Sequence, residues 1–305
     1  MGGQGHTIFT DRLARFAAEV DDPALSAITA RIGADVTVAV HGRTGVGRGA
    51  VARALARAGL AVTRDGDVDV HVVAEVVKPE DQVAITASAA ERPTLVVLNK
   101  ADLVTGARAL CARYRALTGV TTVPMVAHLA HVQVDDELLS ALRTASPAPS
   151  RRLLDTFDTY GIAQALLAVR AGADAAALQR VLRVRSGVDG VVAALAPMLA
   201  EAGYQRLRWA RTALEAIAAT GDERLAALLH DDDTAIACMA AAVDVVQAAG
   251  MAVDPGDDPA AHVRRAAHWH LYRSGPVNAV HTACGADIVR GSLRLWRRAQ
   301  SGAVS

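Results

Sequence analysis

Lysine and asparagine are nearly missing from this 305-residue sequence. Lys78 and Lys100 are the only lysines, and Asn99 and Asn278 the only asparagines. Aromatic residues make up 3%, which excludes the rows of stacking side chains used by single-stranded nucleic-acid binders. The three cysteines, Cys111, Cys238 and Cys284, are odd in number and far apart. They read as small buried hydrophobes in a reducing compartment, not as a disulfide framework. Neither sign of charge is in excess, with 32 Lys+Arg against 32 Asp+Glu, so neither nucleic acid nor an acidic membrane is expected as a partner. No uncharged apolar run reaches the roughly 18 residues of a membrane span. The opening MGGQGHTIFTDRLARF lacks the apolar core of a secretory signal, so a cytoplasmic location is expected.

What is present is an ordinary globular composition, 52% hydrophobic and 21% charged, long enough for two domains. Ile8, Leu13, Phe16, Ala17, Val20, Leu25, Ile28 and Ile32 recur at helical spacing, with a break at DDP. From about residue 34 the pattern alternates. Strand-like runs at 36–40, 61–64, 70–77, 94–98 and 121–126 are separated by helical stretches, which predicts a doubly wound parallel sheet. TASPAPSRR (144–152) reads as a linker, and every later segment has helical periodicity. The expected organisation is an N-terminal helical segment (1–33), an α/β domain (34–146) and an all-α domain (147–305).

Two stretches carry candidate chemistry. HGRTGVGRGA follows the first strand and opens a helix. Gly42, Thr44, Gly45, Val46, Gly47, Arg48 and Gly49 are placed to turn backbone amides toward a phosphate at a helix N-terminus. A phosphate-binding loop continues with Lys and then Ser or Thr, whereas Arg48 and Gly49 stand here. The guanidinium keeps the charge but not the shape of an ammonium, and Gly49 brings no hydroxyl for Mg²⁺. The plain alternative is a Gly-rich strand-to-helix turn without a ligand. VVLNKAD places Asn99, Lys100 and Asp102 at the end of a strand, where one of each scarce residue type stands side by side. The competing reading is that Asn99 or Asp102 caps the next helix. Glu75, at a strand end, is a candidate to hold a metal through water, against the commoner role of a solvated charge. The pairs His128/His131 and His268/His270 have no Cys or acid at zinc-ligand spacing and read as packed or surface residues. HDDDT (230–234) reads as an acidic first turn of a helix rather than a metal cluster.

With these two motifs in this order, residues 34–146 resemble the P-loop GTPase superfamily, as a degenerate or pseudo-GTPase member of TRAFAC-like type with a C-terminal helical domain. The resemblance implies GTP or GDP as ligand, with Mg²⁺ left in question by Gly49. It implies that Asp102 reads the guanine N–H groups, that Asn99 contacts the base edge and ties down the loop, and that the Lys100 stem covers the base. Ala127 matches the Ala of the family's Ser-Ala loop, while Val126 replaces the Ser. One part is missing. Only LAVTRDGDVD separates the first helix of the domain from the strand at 70–77, with no Asp-x-x-Gly and no length for a switch loop. The implied function is guanine-nucleotide binding with weak or absent hydrolysis, biasing an interaction with a protein partner, or a second copy, through the helical domain. Two alternatives stand beside it: a scaffold that binds no nucleotide, and a P-loop kinase or other phosphotransferase.

Overall fold

The computed structural model describes residues 4–144 and 150–302. The middle of the expected linker and the expected boundary at 146/147 lie outside the described residues. Contacts gather into two compact units: residues 36–198 form one, and residues up to Asp35 together with those from Leu199 onward form the other. Helices α1 (Gln4–Val20) and α2 (Pro23–Gly33) precede the first strand and belong to the second of these.

Unit 36–198 holds a five-stranded sheet. Its strands are β1 (Thr37–His41), β2 (Ala61–Thr63), β3 (Val68–Ala74), β4 (Thr94–Asn99) and β5 (Thr122–Pro124). All neighbours are parallel and the order is β2-β1-β3-β4-β5. This is the doubly wound α/β architecture that the apolar runs predict. The order is common to unrelated folds and does not by itself define a function. The Val- and Leu-rich runs of β3 and β4 are buried almost throughout, because helices cover both faces of a parallel sheet. Those helices include α3 (Arg48–Arg57), α4 (Pro79–Glu91), α5 (Ala107–Thr118) and α6 (Asp136–Arg143). Pro79 opens α4, and the Asp81 carboxylate accepts from the Lys78 amide at 3.0 Å, closing its first turn.

The connection from β2 to β3 is unusually short. These strands pair with opposite edges of β1, yet only residues 64–67 join them. Parallel crossovers ordinarily need about a dozen residues or more. Here the chain crosses directly over β1 at Gly66, where an added Cβ would stand 2.3 Å from the Ala39 nitrogen. The crossing is pinned on both sides. Asp67 accepts from the Thr37 amide at 2.8 Å, and Arg92 donates to the Gly66 carbonyl at 2.8 Å.

Helices α7 (Arg151–Arg170) and α8 (Ala175–Ser186) also belong to this unit. Phe157, Ile162, Leu178 and Leu182 share one core with Val126, Leu129, Leu138 and Leu142. The Val126 amide donates to the Ser186 carbonyl at 2.8 Å, fixing the end of α8 to the loop after β5. Helix α9 (Val188–Ala218) contains the division between the units, next to its internal Pro197.

The other unit is helical. Besides α1 and α2 it contains α10 (Glu223–His230), α11 (Asp232–Ala248), α12 (Pro259–Arg273) and α13 (Ala279–Gly302). Phe9, Leu13, Phe16, Leu25 and Ile32 are buried in one core with Tyr204, Leu214, Val245, Trp269 and Ile288. The acidic stretch 231–233 serves helix ends and arginines. Asp231 caps α11 through the Thr234 amide at 2.8 Å, and Asp232 accepts from Arg294 at 3.0 Å and Arg297 at 2.6 Å. All three cysteines are buried and free. Among the described residues no helix is long and apolar enough to cross a membrane.

Candidate functional site

The strand order reverses between β1 and β3, and in open parallel sheets ligands collect beyond the carboxyl ends of the strands at such a point. The loop after β1 occupies this position. Its glycines Gly42, Gly45 and Gly47 have φ of 136°, 89° and 91°, which is backbone that L side chains rarely adopt. Thr44 and Gly45 form a turn that leads into the first turn of α3. Amides of a Gly-rich turn at a helix N-terminus can face an anion. Val46 alone points inward, at 4% exposure, and anchors the loop to the core. Arg48 and Gly49 are exposed at the first turn of α3.

Asn99 links three of the stretches singled out in the sequence. It is the last residue of β4 and is 4% exposed. Its side-chain amide donates to the Val46 carbonyl at 2.9 Å, and its side-chain oxygen accepts from the Ala127 amide at 3.0 Å. The two loops thus meet on one buried amide, whose donor and acceptor ends are both used. Gly47 is required at this contact, because a Cβ there would lie 2.3 Å from Asn99 Nδ2. Asn99 is therefore not a helix cap.

Lys100 follows in the left-handed region, φ 56°, with its side chain exposed. This reverses the chain into a short 3₁₀ turn, Ala101–Leu103, that carries Asp102. The Asp102 carboxyl is half-buried and sits above its ordinary acidity value. Burial is the main cause, its own backbone amide opposes it, and the nearby Asp158 carboxylate adds to it. Asp158 lies at a break inside α7, with φ 58° and ψ −174°, and its side chain caps the second half of that helix through the Gly161 amide at 2.8 Å. The sequence reading did not single out Asp158. The available signal was Gly161, three residues on, where a Cβ would meet Leu129 at 2.6 Å.

A polar face on the sheet also escaped the sequence reading. His41 pairs in register with His71, and Ala39 with Asp69, so alternate residues of β1 and β3 place His41, Asp69 and His71 on one side. His41 Nε2 is 3.1 Å from Asp69 Oδ1. His71 Nε2 is 3.6 Å from Asp81 Oδ1, too long for a hydrogen bond, and has no other partner. Arg43, from the Gly-rich loop, donates through Nε to both Asp81 oxygens at 2.9 Å. Burial lowers the basicity of His71, against the pull of Asp81. For Asp81 burial acts upward, but the Arg43 guanidinium and the Lys78 amide outweigh it and hold the carboxyl below its ordinary value. The signal lay in the alternation Asp-Val-His-Val inside an otherwise apolar strand.

Glu75 stands just beyond β3 with φ 60°, its side chain exposed and its carbonyl accepting from the Tyr114 hydroxyl. Among the described residues no group of three or more His, Cys, Asp or Glu is arranged to hold a metal ion. His128 is exposed, and His131 is half-buried with burial lowering its basicity. Comparison with known proteins finds no family model and no curated sequence that matches this chain.

Proposed function

We propose that the loop 42–49 and the Asn99-Lys100-x-Asp102 turn form a guanine-nucleotide site with weak or absent hydrolysis, which biases an interaction with a protein partner. The observation that carries this reading is the bridge from Asn99 to Val46 and Ala127, because it brings a phosphate-type loop and a base-type loop to the same end of the sheet. In the proposed complex the amides of Thr44 through Arg48 face phosphate oxygens, with Arg48 adding charge. Asp102, a half-buried carboxylate with no side-chain partner among the described residues, accepts from the two guanine N–H groups. The missing hydroxyl at Gly49 predicts binding that depends little on Mg²⁺. The four-residue crossing at 64–67 leaves no loop to sense a γ-phosphate, so turnover should be very slow.

Calorimetric titration with GTP, GDP and ATP, with and without Mg²⁺, tests the reading. Asp102→Asn should shift preference from guanine toward xanthine nucleotides, since donor and acceptor exchange places. Equal affinity of the wild-type protein for guanine and adenine nucleotides would remove the base assignment. A scaffold that binds no nucleotide is the second reading. It is favoured by Asp158, whose like charge beside Asp102 must be accommodated in any complex.

A further inference from the structure

In the helical unit, four arginines converge where three helices meet. Arg208, Arg211 and Glu215 follow one another at intervals of three and four along α9 and so share a face. Arg273 is the last residue of α12, and Asp287 and Arg290 are three apart on α13. Together with Thr212 and Thr282 they line a cavity of about 370 Å³. The facing residues of α13, Ala279, Ala283 and Ala286, are small and leave the space open.

The base of the cavity is organised by one buried acid. Asp287 is 7% exposed, and its Oδ2 accepts from the Tyr204 hydroxyl at 2.7 Å. Its Oδ1 accepts from Arg290 at 2.9 Å and from Arg211 at 3.4 Å, while Arg211 Nε also donates to Glu215 at 2.9 Å. Burial, with Asp287 next to it, pushes the Tyr204 hydroxyl far upward, so it remains a donor. Two guanidinia are thereby fixed side by side on a single carboxylate. Arg208 and Arg273 have no acceptor among the described residues, so the lining carries four cations against two anions. An ion network whose only task is to join α9 to α13 needs the first two arginines and neither of the others.

We propose that this cavity binds a small phosphate-bearing anion, a diphosphate or a phosphomonoester head. Arg211 and Arg290 form the preset floor, Arg208 and Arg273 close on the ligand, and the hydroxyls of Thr212 and Thr282 supply further donors. Guanidinium forks match the paired oxygens of a phosphate, and hydrogen bonds between charged partners are the strong ones. The volume is at the lower end of small-molecule pockets, about 300–1,000 Å³, which favours a head group over a whole nucleotide. The site is independent of the loop at 42–49.

Calorimetric titration of the full chain with pyrophosphate, in chloride buffer at physiological ionic strength, tests the proposal. Three proteins are compared: wild type, Arg208→Gln/Arg273→Gln, and Arg48→Glu at the Gly-rich loop. Neither replaced residue of the double variant has a hydrogen-bond acceptor among the described residues, so folding should be preserved, which circular dichroism checks. The expected result is a saturable event that survives Arg48→Glu and weakens about tenfold or more in the double variant, the loss of two charge-assisted contacts. Protection of Arg208 and Arg273 from phenylglyoxal by pyrophosphate, read by mass spectrometry, should accompany it. Absence of saturable binding, binding abolished only by Arg48→Glu, or equal binding by wild type and the folded double variant would each overturn the proposal.

Discussion

Asn99 shows how much one side chain can decide. Both ends of its amide are used in a buried place, so truncation leaves a carbonyl at Val46 and an amide at Ala127 without partners. Each unsatisfied buried group costs about 1–3 kcal/mol. Asn99→Ala should therefore lower the unfolding free energy by roughly 2–4 kcal/mol in urea titrations, and loosen the Gly-rich loop. A loss no greater than that of an exposed substitution such as Lys100→Ala would contradict the bridge. The buried polar face gives a pH prediction. His71 is held neutral below its ordinary 6.5, so the unfolded chain takes up the proton first as pH falls. Stability from this site is full above about pH 6.5 and declines below it until the folded ring also protonates. His131, shifted in the same direction, adds to the decline. Asp81 lies below its ordinary 3.8, so its contribution is present above that value and is lost as pH falls through its folded value. His71→Phe should flatten part of the loss below about pH 6.5, measured as unfolding free energy against pH. Parallel profiles for variant and wild type would show that His71 is not held neutral.

At the scale of elements, the four-residue crossing between β2 and β3 is the most constrained piece of the α/β unit. β2 is only three residues long, so little height is needed to return to the start of β3, and the chain can step over β1 instead of around it. The step works only where no side chain intervenes, which is Gly66. Gly66→Ala should cost roughly 1–3 kcal/mol by forcing two backbones apart, and should be felt at Thr37 and Asp67 first. Hydrogen exchange of the β1 amides checks this. Exchange at Thr37 and Ala39 no faster than in the wild type would show that the crossing has slack. The same tightness bears on function, because a nucleotide switch needs a segment with two arrangements, and residues 64–67 are tied at both Asp67 and Gly66.

At the scale of the whole molecule, the α/β unit is an insertion between α2 and the latter part of α9. Removing the sequence before residue 147 therefore takes α1 and α2 out of the helical core while leaving α7 and α8 without Val126, Leu129, Leu138 and Leu142, which share their core. A protein starting at residue 147 should expose the partners of Phe9, Leu13, Phe16, Leu25 and Ile32 and fail to unfold cooperatively. A segment spanning 36–198 should give a cooperative urea transition of its own. A cooperative, native-like 147–305 fragment would mean that the N-terminal helices are dispensable to the core.

Local chemistry made much of this readable from residues alone. Periods of two and 3.6 are properties of the backbone, so the five strands follow from Val-rich runs such as 94–98 and helix α1 from positions such as Leu13, Phe16 and Ala17. The glycine spacing at 42–47 marked a strained loop because only glycine accepts those angles without cost. The scarcity of Asn and Lys marked 99–102 for the same kind of reason: an expensive, specific side chain stands where a plain one would do. Tertiary structure alone decided which segments share a core. Phe16 and Phe157 are apolar residues on helices with the same periodicity, yet one packs with Trp269 and the other with Leu129. Hydrophobic burial is non-directional, and periodicity tells which face of an element is covered without telling by what. The meeting of Asn99 with Val46, of Asp158 with Asp102, and of four arginines around Asp287 depends on distances between residues far apart in the chain. Those distances are fixed only when every element has found its place.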